Sequence, residues 1–144
     1  MMAPGCVSVA SAGVVAADLL VEACRSGPED DLRLETVRGL ATDLGRRLAS
    51  LAETADGTSD STIEAALACA DLATLAVCNV PGLPKGGRAL GAAATHLAAG
   101  VTHALLELVE NAGAVDPHAE NVSRDARSAG WKADLAVRQL GELG

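Results

Sequence analysis

Apolar positions recur three and four residues apart along most of this chain. The polar interruptions between them mark out five helices, over about 7–24, 30–54, 60–78, 88–111 and 117–141. The first stops at Ser26-Gly27-Pro28, where Gly27 can cap and Pro28 blocks continuation. The second starts in the acidic turn Glu29-Asp30-Asp31, well placed at a positive helix start, and carries the stripe Val37, Leu40, Ala41, Leu44, Leu48 and Leu51. Ser59 or Asp60 can cap the third, which is apolar on most faces from Ile63 to Val77 and is expected at the centre. Leu90, Ala94, Leu97, Val101, Leu105 and Leu108 form the core stripe of the fourth. The fifth opens at Asp116-Pro117 and carries Val122, Ala126, Ala129, Ala133, Val137 and Leu140. The expectation is one all-α domain, a five-helix bundle over 1–144.

Composition sharpens this picture. Phe and Tyr are absent and Trp131 is the only aromatic residue, so the core must be Ala, Leu and Val. Small side chains let helices approach closely, whereas a sheet favours β-branched and aromatic residues. The net charge of −8 has no basic patch to offset it, and no aromatics are available for base stacking. Nucleic acid and anionic membrane surfaces are therefore not expected as partners. No uninterrupted apolar run reaches the roughly 20 residues of a membrane span. The stretch VSVASAGVVAADLL lacks a preceding Lys or Arg and is followed by Asp18 and Glu22, so a buried first helix is expected rather than a signal peptide. The four cysteines form no C-x-x-C pair, and Cys69 and Cys78 lie about 13 Å apart along one helix. Reduced, buried thiols in a cytoplasmic protein follow.

Candidate chemistry gathers on the fourth helix. At 100° per residue His96, His103, Glu107 and Glu110 share a narrow sector, about 140° from the leucine stripe. Ala92, Ala99 and Gly100 lie beside them. This arrangement is either a solvated face with a His103–Glu107 pair or a proton-transfer site with His96, His103 and Glu107 as its working groups. The two histidines are about 10 Å apart along the axis, too far to chelate one ion, so no metal or cofactor is expected. His118 stands near the start of the fifth helix, where exposure is the rule. On that helix Trp131 and Leu135 lie opposite the alanines, beside Arg124, Arg127 and Arg138, as an interface anchor would.

Before the fourth helix, NVPGLPKGG poses a choice between a plain turn and an anion cradle. In the cradle, N–H groups at Gly86 and Gly87 would act with Lys85. It is not a nucleotide-binding fingerprint.

The stretch LPKGGRALGAAATHLAAGVTHALLELV resembles the glycine-rich turn and alanine-rich helix of the formiminotransferase-cyclodeaminase and methenyltetrahydrofolate cyclohydrolase helical family. SDSTIEAALACADLATLAVCNV is similar to that family's Ser-Asp-to-Asn-Val helix. The two segments occur in reversed order, and Lys85 replaces one glycine. The resemblance implies a helical homodimer binding a small anionic, folate-like ligand, with cyclodeaminase or cyclohydrolase chemistry on a C–N bond. Gly86 and Gly87 would match the glycine turn, and Asp60 and Asn79 the second motif. The alternative is a non-catalytic interaction module acting through the Trp131 face.

Overall fold

In the computed structural model, which describes residues 4–54, 59–111 and 119–143, the chain is an all-α five-helix bundle. The helices are α1 (Pro4–Arg25), α2 (Leu32–Thr54), α3 (Ser59–Asn79), α4 (Arg88–Asn111) and α5 (Ala119–Leu143). Among the described residues there is no strand. Two short 3₁₀ turns, Val80–Gly82 and Lys85–Gly87, join α3 to α4.

The local stops and starts follow from the chemistry of the ends. Gly27 N–H closes α1 on the Cys24 carbonyl. Asp31 then caps α2, its carboxylate accepting from the N–H groups of Arg33 and Leu34 at 3.0 and 3.3 Å. The helix therefore begins one residue after the acidic turn rather than inside it. Asp116, Pro117 and His118 lie outside the described residues.

Short connections make α1 and α2, and likewise α3 and α4, antiparallel neighbours. The four close into a ring in which α1 packs on α2 and α4, and α3 on α4 and α2. The fifth helix lies outside this ring, against α3 and α4. The third is thus touched from several sides, as its nearly continuous apolar surface requires. More than half of the buried hydrophobic residues are alanines, with Leu20, Leu48, Leu72 and Leu105 as the large fully buried side chains. Alanine keeps the helices close, because nothing longer has to fit between the axes. At Gly13 on α1 the approach is closer still. A Cβ there would stand 2.8 Å from Cys69 Sγ on α3 and 3.1 Å from Leu48 on α2.

Several stripe positions are not where strict periodicity placed them. Leu40, Leu108 and Val137 are exposed, at 49%, 37% and 36%. The buried arc of α4 runs instead through Gly91, Ala94, Thr95, Ala98, Ala99, Val101, Thr102 and Leu105. Ala136 takes the place of Val137 on α5. Small residues make up most of this contact face, with Val101 and Leu105 as its larger members. Thr95 and Thr102 are tolerated there because each hydroxyl donates to a carbonyl one turn back, Gly91 O and Ala98 O, both at 2.9 Å. Cys78 is exposed, unlike the other three free thiols.

Among the described residues three helices are long and apolar enough to cross a membrane by length and composition, contrary to the count of uninterrupted runs. They span Gly5–Arg25, Asp60–Gly82 and Lys85–Glu110, with mean hydropathy 1.7, 1.6 and 1.3. A scattered charge or two breaks a run without lowering the average much. Within the bundle 61% of the α3 window is buried, against 39% for α1 and 44% for α4. The third helix is the most enclosed of the three.

Candidate functional site

Four separate places stand out, and three of them carry residues singled out by sequence. His96 is exposed on α4, nine residues and about 13 Å along the axis from Gly87. His103, two turns further on, is engaged: its Nε2 meets the Asp134 carboxylate of α5 at 2.8 Å. Glu107 and Glu110 are exposed beyond it. Ala99, expected beside the imidazoles, is buried. Gly100 does stand open, with nothing within 4 Å of where its Cβ would be. His96, His103, Glu107 and Glu110 of the polar sector are exposed, and His103 is paired across to Asp134 of α5.

The glycine turn answers a packing demand. Gly87 N–H donates to Pro84 O at 2.8 Å, so this amide is already spent. Gly87 is buried where the end of α1 meets the start of α4. A Cβ there would lie 2.5 Å from the Ala23 carbonyl oxygen and would strike the Ser26 hydroxyl. Arg33 of α2 ties the same connection down, donating from Nη2 to Gly82 O at 2.6 Å, and Arg88 Nε reaches Leu83 O. Lys85 and Gly86 remain exposed. Asn79 stands at this end of the molecule with its amide donating to Leu75 O, while Asp60 lies at the other end of α3, about 28 Å away. Asn79 therefore neighbours the turn, but Asp60, His103 and Glu107 do not.

A third place was not anticipated. Between the end of α1 and the first half of α2 run two adjoining clefts of about 260 and 400 Å³, sharing Arg25, Glu35 and Arg38. Cys24 lines the smaller one. Burial pushes its thiol pKa up, and the positive charges of Arg38 and Arg33 pull it partly back. Arginines and carboxylates alternate along these walls, so the surface favours neither sign of ligand. Among the described residues no three His, Cys, Asp or Glu side chains stand close enough to hold a metal ion.

The fourth place is the outer face of α5. Ala129, Ala133 and Ala136 are buried against α3 and α4. Polar pairs hold both edges of that seam: Asp134 to His103 on the α4 side, and Lys132 to Asp71 of α3 at 3.3 Å on the other. Sequence reading missed these clamps, although Lys132 and Asp134 flank Ala133, the position where seam-edge residues must fall. With the inner face fixed, Trp131 is carried outward and is 65% exposed. Arg124, Arg127 and Arg138 are exposed around it, and Leu135 is half-buried beside it. A large aromatic ring in water, with arginines along the same helix face, has the composition of an interface centre. No protein-family model, curated protein or solved structure matches the chain, so its activity has to be read from its own residues.

Proposed function

We propose that the chain is a non-catalytic helical interaction module whose working surface is the outer face of α5, centred on Trp131. The observation that carries this reading is the 65% exposure of the only aromatic side chain, on the same face of α5 as the exposed Arg124, Arg127 and Arg138. Burying an aromatic side chain of this size against a partner contributes several kcal/mol, of the order of 25 cal/mol per Å². Leaving it in water serves nothing in the isolated bundle.

The ligand reading asks for Lys85, Gly86, Gly87 and a polar-sector histidine around one concave space, with Asp60 and Asn79 in support. Those groups are spread along the molecule, Gly87 N–H is committed to Pro84 O and His103 to Asp134. A folate-like anion and cyclodeaminase or cyclohydrolase chemistry are therefore the weaker proposal. The cytoplasmic location expected from the sequence is kept as part of this proposal, although 39% and 44% of the α1 and α4 windows are buried against 61% of the α3 window.

The test places a photo-reactive amino acid at position 131 of the full chain in cells. Protein adducts from 131, and none from an equivalent at exposed Arg46, are expected. Absence of protein adducts at 131, together with calorimetric binding of reduced folates that Lys85→Ala and His96→Ala abolish, would overturn the interface in favour of the ligand.

A further inference from the structure

We infer that the partner on this face is a second copy of the same chain, docked by antiparallel pairing of α5 with its counterpart about a two-fold axis level with Ala133. The inference rests on the reading of the Trp131 face as an interface, and it is carried by how the charges on that face match themselves. Taken at 100° per residue, Arg124, Leu135, Arg138 and Glu142 all fall within about 40° of Trp131. All but the half-buried Leu135 are exposed, and they line one strip along the helix.

Antiparallel self-pairing allows only a few registers on such a strip. Setting Trp131 against the partner's Trp131 brings Arg124 opposite the partner's Arg138, a repulsion repeated at both ends by symmetry. Sliding the helices so that Trp131 meets the partner's Leu135 removes that conflict. Arg124 lies seven residues before Trp131 and Glu142 seven after Leu135, so the same shift sets Arg124 against the partner's Glu142. The two-fold repeats both contacts. Arg127 then faces the partner's Gln139 and Arg138 faces the partner's Ser128, so no like charges are opposed.

The groups needed for these pairs are available. Among the described residues neither Arg124 nor Glu142 has an ion-pair partner within its own chain, whereas Lys132 and Asp134, at the seam edges, are already engaged with Asp71 and His103. An unrelated partner would not require the strip to complement itself. A two-fold does, and this strip meets the requirement for its apolar and its charged positions at once. From Arg124 to Glu142 the strip is about 27 Å long, a contact at the small end of specific interfaces. Contacts of this size belong with weak, transient interfaces, so reversible self-association on the order of micromolar or weaker is expected.

Sedimentation equilibrium of the full chain across about 1 µM to 1 mM reads this directly. The expected result is a reversible dimer that Arg124→Glu and Glu142→Arg each weaken about tenfold, by opposing like charges at both ends. An equimolar mixture of the two variants should dimerise about as well as the unaltered chain, because every end then holds opposite charges. Both positions are exposed, and circular dichroism confirms that each variant folds. A monomer at all concentrations overturns the second copy, while adducts from position 131 to a different protein would leave the wider interface reading standing. Charge variants without effect, or rescue of Glu142→Arg by Arg127→Glu instead of Arg124→Glu, overturn the register and with it the proposal.

Discussion

Two junctions in this bundle are built on opposite plans. Where the end of α1 meets the start of α4, backbone lies on backbone, and Gly87 is the residue that makes the approach possible. Where α5 meets α3 and α4, alanine side chains fill the seam and exposed polar pairs hold its edges. The first junction has no slack. The second is an outer layer added to a closed ring, and its cost of alteration should be small. That contrast suits a molecule whose four-helix ring supplies stability and whose fifth helix presents a surface.

The largest effect should come from breaking the tight junction. Gly87→Ala forces a methyl group to within 2.5 Å of the Ala23 carbonyl, a clash with backbone that no rotamer relieves. A loss of about 2–3 kcal/mol is expected by urea denaturation, in line with overpacked interiors. Gly86→Ala is the matched control. Nothing lies within 4 Å of its added Cβ, so its effect should stay within about 0.5 kcal/mol of zero or be slightly stabilising. Equal losses at the two glycines would mean that the turn, rather than the helix contact, selects them.

A smaller effect probes the centre of the ring by pH. Burial pushes the Cys69 thiol up from the ordinary 9.0 to about 12. The native state thus holds the proton more tightly than the unfolded chain does. The stabilisation is complete below pH 9 and is lost as the pH rises from there toward 12. Stability should fall by about 1 kcal/mol by pH 10 from this group, and Cys69→Ala should flatten that part of the profile whatever its effect at neutral pH. An unchanged slope in the variant would show that other groups drive the alkaline loss. Under the same conditions a thiol reagent should modify exposed Cys78 first.

These two junctions also explain what the sequence could tell. The five helices were legible because capping and periodicity are local: Asp31 caps α2 through amides two and three residues away, and Gly27 closes α1 on Cys24. The polarity of the α5 outer face was legible for the same reason, since Trp131 and the arginines share one helix. What was not legible depends on partners far along the chain. Whether Gly87 served a plain turn or an anion cradle stayed open because its neighbour Ala23 is 64 positions earlier, and a glycine chosen for contact looks the same as one chosen for a ligand. The partner of His103 was not visible for the same reason, since Asp134 is on another helix. The alanine stripes were read with the larger Leu and Val included, so Leu40, Leu108 and Val137 were placed inside although close packing excludes them.

The smallest effect separates the two edges of the fifth helix from its seam. Both clamps are solvent-exposed, with side chains 39–65% accessible, so each pair should contribute only about 0.5 kcal/mol. His103→Ala and Asp71→Ala should therefore barely move the global denaturation midpoint. Their local effect should be clearer, because among the described residues α5 packs mainly on α3 and α4 and can loosen without opening the ring. Hydrogen exchange of the α5 amides near residues 129–136 should speed up in the double variant by several-fold, with the α3 amides around Leu72 unchanged. If α3 and α5 speed up together, the fifth helix belongs to the same cooperative unit as the ring. The outer face would then be a fixed part of the core structure rather than a layer laid over it, and the two junctions would differ in chemistry but not in strength.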